Sequence, residues 1–312
     1  MEPLEVAQKL QACLQDQSLL INGVEYFSTF DSNTGYAKSL TQLFLSTETP
    51  ADLRNFAGIM LKNLAKDKWH HFDEAEKTVV RQSLVGNLTD SNATLLASKS
   101  LAIANIAVKD YPGQWPDLID VLVGYVKQSG DVVAVGCGLR CLYDVLEVWD
   151  CRIAEVVPMI MPAVLGAFEN SGVAYYMQCG CLKLLHAAVT KFAWAEQADK
   201  GLINKCLDDT YGSWMKHFAT ILQEAPNNGV ELKRQTLKIL TCLARDMPSY
   251  VEESLQSIVA SVLQLMKTTL PLFVSSVIDG QPLPEDALQA ASNKDEVRID
   301  DLEDEPVGLE GM

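Results

Sequence analysis

The chain has 312 residues, of which 48% are hydrophobic and 21% are charged. This composition excludes wholesale disorder, because a disordered chain combines low hydrophobicity with high charge. The net charge of −16 argues against a protein held to nucleic acid by phosphate contacts, which would be basic. We therefore expect no direct nucleic-acid binding, and an acidic surface favours basic partners or simple solubility.

The sequence shows no signal for secretion or membrane insertion. Met1–Pro3 lacks the basic and apolar segments of a secretory signal. The longest apolar run, Val156–Phe168, is too short to span a bilayer and contains two prolines. The eight cysteines are scattered, which predicts reduced, buried thiols. These features favour a cytosolic or nuclear protein.

Apolar residues recur with the helical period along most of the chain, and no run alternates strictly as a strand does. One stripe consists of Leu53, Phe56, Ala57, Met60, Leu61 and Leu64, and a second of Val251, Leu255, Ile258, Val259, Val262, Leu263 and Met266. At the start of the helix that carries the first stripe, we predict Thr49 as the capping residue, Pro50 as the first helical residue and Asp52 as an acidic partner.

The predicted helices come in pairs. The pairs are Leu4–Gln15 with Leu19–Phe30, Tyr36–Ser46 with Ala51–Lys68, Asp73–Leu88 with Ala93–Lys109, Pro116–Lys127 with Val132–Val148, Ile153–Glu169 with Ala174–Phe192, and Gly201–Glu224 with Val230–Asp246, and a last helix spans 249–278. A period of roughly 43 residues is typical of HEAT repeats. We therefore predict an all-α fold, a right-handed α-solenoid of about six and a half HEAT-type antiparallel helix pairs, over an ordinary helical bundle.

The composition changes after the last predicted helix. Residues 285–310 carry ten acidic side chains against Lys294 and Arg298. We therefore predict a solenoid over 1–278 and an acidic, disordered linker or tail over 279–312. Two interpretations of the tail stay open, a solvating segment and an attractant for basic cargo. The candidate cargo-binding residues are Asp300, Asp301, Glu303, Asp304 and Glu305.

Motifs for catalysis, metals or cofactors are not found. The phosphate-binding loop, H-E-x-x-H and G-x-S-x-G are all missing. Gly136–Gly138 begins like a dinucleotide fingerprint, but Cys141 stands where a later glycine is needed. Cys179–Cys181 with His186 has the wrong spacing for zinc, so buried thiols and a core histidine are favoured. We predict no catalytic residue, no metal and no cofactor.

One tryptophan is predicted to anchor a corner between helices. Trp115 lies between Pro112, which disfavours helix at Tyr111, and Pro116, which suits a helix start. Burial of its large ring would fix the corner.

Two segments resemble the importin-β (karyopherin) superfamily of nuclear transport receptors. The first, 52–69, matches the family pattern at Arg54, Ala57, Leu61, Lys62, Asn63 and Trp69. The second, 102–118, matches at Ala107, Asp110, Pro112, Trp115, Pro116 and Leu118. The importin nine branch is the most similar part of the superfamily. The similarity lies in the segments 138–142, 156–168 and 237–257 and in the acidic linker that follows them. The chain is much shorter than karyopherins, so it resembles their N-terminal part, with the family's N-terminal domain within about 20–127.

This resemblance implies a transport receptor, or an N-terminal fragment of one, that shuttles between cytoplasm and nucleus and is not an enzyme. The second helices of the first repeats would line a concave face and bind the small GTPase Ran in its GTP form. Basic cargo such as histones would bind an acidic surface, and phenylalanine–glycine repeats of nucleoporins would bind between outer helices. The alternative is a HEAT-repeat scaffold of another class, such as a regulatory or assembly subunit, without a transport role.

The candidate Ran-binding residues are Arg54, Lys62, Asn63 and Lys66, and the structural motif residues are Trp69, Asp110, Pro112, Trp115 and Pro116. In structural terms, Asn63 is a candidate for hydrogen bonding to the neighbouring repeat. Lys62 directly follows a stripe residue, so its stem would lie along the edge of the apolar stripe.

Overall fold

The structure is a computed structural model that describes residues 2–15, 34–90, 92–128, 130–149, 153–170, 175–195, 200–223, 229–252 and 254–278. The chain divides into two compact units between Trp149 and Asp150. The predicted helix Leu19–Phe30 and the acidic segment 279–312 lie outside the described residues.

The first unit contains helices α1 Pro3–Gln15, α2 Tyr36–Leu45, α3 Ala51–Asp67, α4 Glu74–Gly86, α5 Ala93–Asp110, α6 Leu118–Val126 and α7 Val132–Val148, and a 3₁₀ turn at Trp69–His71. Its helices form two layers. The first helices of successive pairs, α2 and α4, pack together, and so do the second helices α3, α5 and α7. Helices α2 and α3, and α6 and α7, also pack within their pairs. This side-by-side stacking is the HEAT arrangement.

The second unit contains α8 Ile153–Glu169, α9 Tyr175–Ala195, α10 Lys200–Gln223, α11 Val230–Asp246, α12 Pro248–Val251 and α13 Leu255–Ile278. The first helices α8, α10 and α13 pack in sequence, and the second helices α9 and α11 pack beside them. Every regular element in the described parts of the chain is helical. The predicted all-α, HEAT-type fold is thus confirmed.

Two helix starts differ from the sequence prediction. Helix α3 begins at Ala51, and Pro50 is its N-cap without a side-chain hydrogen bond. Thr49 does not cap it, because this residue belongs to a turn in which its N–H donates to Ser46 O at 3.2 Å. Helix α6 begins at Leu118 rather than Pro116, because the chain between α5 and α6 still follows a turn.

Packing on two sides shifts the buried face of α3. The buried residues are Leu53, Ala57, Gly58, Leu61, Leu64 and Ala65, whereas the predicted stripe residues Phe56 and Met60 are only half-buried. A Cβ on Gly58 would lie 2.6 Å from the Phe44 ring, so glycine permits the close approach of α2 and α3.

The prediction for the last helix is wrong in two respects. The structure divides 249–278 into α12 and α13, and most of the predicted stripe is exposed. The exposed members are Leu255, Val259, Leu263 and Met266. Helix α13 packs mainly against α10 and buries Ser261 and Leu265 instead. The neighbouring helix decides which face is buried, and no other described helix covers the apolar side.

Six cysteines in the described ranges are buried and form no disulfide, as predicted: Cys13, Cys137, Cys141, Cys179, Cys181 and Cys242. Among the described helices, none is both long and apolar enough to cross a membrane.

Candidate functional site

The two motif segments meet at one carboxylate. Trp69 Nε1 donates a hydrogen bond to Asp110 Oδ2 at 2.9 Å, and Arg81 Nη1 donates to the same oxygen at 2.6 Å. Only 1% of Trp69, 4% of Arg81 and 6% of Asp110 is exposed. The buried positive charge is therefore balanced by a buried negative charge across α4 and α5, and the tryptophan is fixed by the same pair.

Asp110 also holds the corner that follows it. Its carbonyl oxygen accepts hydrogen bonds from the N–H of Gln114 at 2.8 Å and of Trp115 at 3.1 Å. Tyr111 leaves the helix in an extended conformation, as Pro112 predicts. Trp115 is buried at this corner, and its role as the anchor stays a prediction.

Arg81 is the member of this group that the sequence analysis missed. Its guanidinium also binds Glu74 and donates to Thr78 Oγ1 at 3.0 Å. The signal was present in the sequence, because Arg81 stands three residues before Leu84 and seven before Leu88, on the apolar stripe of a predicted helix. A buried arginine needs an acidic partner.

Polar side chains also cap helix ends in neighbouring repeats. Lys109 Nζ donates to Ala65 O at 2.6 Å and to Lys66 O, which satisfies two carbonyls at the C-terminus of α3. Burial lowers the pKa of Lys109 below its ordinary value. Further links of this kind join Glu76 to the N–H of Gly35 and Lys38, Lys99 to Asn87 O, and Tyr125 to Val85 O. These contacts fix successive helices against one another in both layers.

Arg54, a candidate Ran contact, is held inside the fold. Its Nε donates to Phe44 O at 3.0 Å and its Nη2 donates to Asp90 Oδ2 at 3.1 Å. Asp90 Oδ2 also lies 3.7 Å from Lys99 Nζ. Arg54 therefore links α3 to the end of α2 and to the loop before α5.

Three other candidates on α3 lie at the surface. Lys62 is half-buried, whereas Asn63 and Lys66 are exposed. Burial, with a smaller contribution from Lys66, lowers the pKa of Lys62 below its ordinary value. The half-buried Lys62 agrees with the predicted stem along the apolar stripe. Across the described ranges no hydrogen bond joins Asn63 to a neighbouring repeat.

We call the solvent-exposed surface of the second-helix layer in the first unit the B face. On α3 it presents Ile59, Lys62, Asn63 and Lys66, and on α5 it presents Val108. These helices pack side by side, so their exposed residues form one continuous surface. Two amino groups beside apolar side chains suit a protein surface that offers carboxylates.

One of the two glycines that begin like a nucleotide fingerprint is explained by packing. A Cβ on Gly138 would lie 2.9 Å from Tyr125 Cβ and 3.1 Å from Val126 N. Helix α7 therefore approaches α6 closely at this residue. Gly136 has nothing within 4 Å of the same position.

The two cysteines at the start of α9 are expected to be unreactive. Burial raises the pKa of Cys179 to about 12 and raises the pKa of Cys181 further above its ordinary value. Both thiols are therefore protonated at neutral pH, which disfavours nucleophilic attack and metal binding. In the described ranges no group of three His, Cys, Asp or Glu side chains is placed to hold a metal ion. The acidic residues 300–305 lie outside these ranges.

Paired helices stacked in two layers define a helical-repeat scaffold. Residues 25–90 match the family described as "Importin-beta N-terminal domain". Importin-9 of Drosophila melanogaster is 22% identical over 288 residues, which cover 86% of this chain and 28% of that protein. Human Importin-8 is 23% identical over 214 residues, or 60% of this chain and 20% of that protein.

The solved structure of the Kap95:Nup1 complex shares the fold, with a TM-score of 0.66 and 14% identity over 91% of this chain and 36% of that one. The chain thus spans less than a third of the length of the two importins. Residues 25–90 therefore match the importin-β N-terminal domain, and most of the chain is similar in sequence to an importin.

Proposed function

We propose that this chain acts as an importin-type nuclear transport receptor, or as the N-terminal part of one. In this proposal it binds Ran-GTP on its first repeats and basic protein cargo on an acidic surface. It shuttles between cytoplasm and nucleus. The homologues are nuclear transport receptors rather than enzymes, which supports a binding function.

The observation that carries the proposal is that α3 has a buried apolar side and a polar side at the surface. This helix lies inside the matched family domain and buries its apolar motif residues. It leaves Lys62, Asn63 and Lys66 on the B face, while Arg54 holds the helix in place. We propose the three surface residues as Ran contacts and Arg54 as the residue that supports them.

Charge reversal on the B face tests the Ran site. We expect the double variant Lys62→Glu/Lys66→Glu to weaken binding of Ran-GTP by about tenfold or more, because two attractive charges become repulsive. Affinities of the purified full chain for Ran loaded with a non-hydrolysable GTP analogue, and with GDP, measure this. The unaltered chain should prefer the GTP form.

The matched control is Lys127→Glu, an exposed lysine at the end of the first-layer helix α6. It changes the net charge in the same direction but leaves the B face intact, so a small loss of affinity is expected. Equal losses in both variants would show a general charge effect and contradict the assigned site. No binding by a folded chain would favour the alternative, a HEAT-repeat scaffold of another class without a transport role.

Basic cargo provides the second test. The acidic segment carries half of the net charge of the chain, which supports attraction of basic proteins such as histones. We expect neutralisation of Asp300, Asp301, Glu303, Asp304 and Glu305 to amides to weaken binding of a core histone dimer severalfold and to reduce its salt dependence. Isothermal titration at several salt concentrations measures both. An unchanged affinity and salt dependence would assign these residues the solvating role.

Nucleoporin repeats are proposed partners at a cleft between the first-layer helices α10 and α13. The cleft has a volume of about 80 Å³ and is lined partly by Phe218, Leu222 and Ile258. Such a lining suits a phenylalanine side chain. The related Kap95 is described in complex with Nup1, which supports this class of partner.

A further inference from the structure

Helix α13 of the second unit has an exposed apolar side. No other helix in the described ranges exposes more than two large apolar residues. On α13 there are six, each between 40% and 59% exposed: Leu255, Val259, Leu263, Met266, Leu270 and Val274. We call these six residues the exposed stripe.

The exposed stripe forms a side of its own on the helix. Ser261 and Leu265 are buried on the side that packs against α10. Gln256, Gln264 and Lys267 are exposed and form a polar side. With 3.6 residues per turn, the stripe lies between the buried side and the polar side. In the sequence of α13, Lys267 is the only charged residue, so little charge opposes contact with a second apolar surface.

The spacing of the exposed stripe is the same in both directions along the helix. Successive members are 4, 4, 3, 4 and 4 residues apart. Eleven residues nearly complete three helical turns, so a spacing of 4, 4 and 3 keeps the stripe on one side along its whole length. A second α13 turned end for end therefore presents the same spacing, which is the condition for a two-fold symmetric contact.

We propose that the exposed stripe is a self-association surface, on which α13 of a second copy of this chain packs antiparallel. A two-fold axis between Leu263 and Met266 brings every member of the stripe opposite another member. The pairs would be Leu255 with the partner's Val274, Val259 with the partner's Leu270, and Leu263 with the partner's Met266.

Side-chain size and helix dipoles both favour the antiparallel arrangement. In the four outer contacts a leucine meets a valine, so a larger side chain lies opposite a smaller one, as in well-packed cores. A parallel pair would place leucine on leucine and valine on valine. Antiparallel helices also bring opposite ends of their dipoles together.

The size of the stripe predicts weak self-association. Its six members span nineteen residues, a band about 29 Å long and about 12 Å wide, or about 350 Å². An apolar patch of this size on a monomer is often functional. Two such faces together bury about 700 Å², less than the interface of a stable complex. We therefore expect a dissociation constant on the order of 10–100 µM.

The exposed stripe is separate from the binding sites proposed above. The cleft between α10 and α13 is lined from α13 by Ser257, Ile258 and Ser261, none of which belongs to the stripe. The B face lies on the first unit. Self-association through α13 therefore goes beyond the proposed transport function and does not depend on Ran or nucleoporin binding.

Sedimentation equilibrium of the full chain tests the proposal. Between about 1 and about 200 µM, we expect the average mass to rise from that of a monomer toward that of a dimer. Leu263→Glu places a charge at the centre of the contact and should weaken self-association about tenfold or more. The matched control is Gln264→Glu, which adds the same charge at the next residue, on the exposed polar side. Its dissociation constant should stay within about twofold of the unaltered value.

A mixture of two variants tests the antiparallel arrangement. Leu255→Lys and Val274→Glu should each weaken self-association, but the two variants should associate with each other, because the new charges then face each other. Circular dichroism verifies that each variant keeps its helices. In a parallel pair the two altered residues would be nineteen positions apart, so no preference for the mixed dimer would overturn the proposal. A monomer at all concentrations, or equal effects of Leu263→Glu and Gln264→Glu, would also overturn it.

Discussion

Replacement of Asp110 by alanine is expected to destabilise the first unit by about 3–5 kcal/mol. The variant leaves the Arg81 guanidinium buried without its carboxylate and removes the acceptor of Trp69 Nε1. Urea unfolding of the full chain, followed by tryptophan fluorescence and circular dichroism, measures the loss. Trp69 and Trp115 both lie in this region and report its unfolding.

Two further variants separate the causes. Asp110→Asn keeps an acceptor oxygen for Trp69 but removes the charge that faces Arg81, so we expect a smaller loss than with alanine. The control Asp120→Ala removes an exposed aspartate with no ion pair in the described ranges, and its effect should stay within about 0.5 kcal/mol. Similar losses in Asp110→Ala and Asp120→Ala would contradict the assigned buried pair.

If Asp110→Ala fails to fold, Trp69→Phe still tests the same contact. It keeps an aromatic ring, but it removes the hydrogen bond from Nε1 to Asp110 and part of the buried ring volume. We expect a loss of about 1–3 kcal/mol, because the carboxylate loses one of its two side-chain donors in a buried setting. An unchanged free energy of unfolding would show that the hydrogen bond between Trp69 and Asp110 does not stabilise the fold.

The second large effect is expected at Gly138 on α7. Alanine there would place its Cβ 2.9 Å from Tyr125 Cβ and 3.1 Å from Val126 N. Backbone on α6 cannot move aside locally, so α6 and α7 must separate. We expect a loss of about 1–3 kcal/mol in the free energy of unfolding, as for other overpacked sites.

The same helix offers a matched control for this substitution. Gly136 is helical and has open space around its Cβ position. Gly136→Ala should therefore stabilise the protein by up to about 1 kcal/mol, since alanine is the better helix former. Opposite signs for the two variants are the expected outcome in thermal and urea unfolding. A stabilising Gly138→Ala would show that α6 and α7 are not in close contact.

The motif residues that carry the family resemblance divide into two groups. Trp69, Asp110 and Trp115 are buried and fix the corner between α5 and α6 and the end of α3. Lys62, Asn63 and Lys66 lie on the surface of α3. Variants of the first group are expected to reduce stability, and variants of the second to change binding in a folded chain. This contrast distinguishes scaffold residues from partner-binding residues.

The sequence by itself determined the helices and their pairing. Helical periodicity and chain breaks are local properties, so the bounds of helices such as Val132–Val148 and Val230–Asp246 agree with the prediction. The repeat length then determined the HEAT-type stacking, because each pair must bury its apolar face against the next. The spacing of Pro112, Trp115 and Pro116 also sufficed to predict the buried corner.

Only the tertiary structure decided which side chains meet. Trp69 and Asp110 are 41 positions apart, and Arg54 and Asp90 are 36 apart, so no local pattern links them. The buried face of α13 likewise depends on α10, and most of its predicted stripe is exposed because a periodic pattern does not specify its neighbour. Periodicity describes one helix at a time, whereas ion pairs, caps and exposed faces arise where several helices pack.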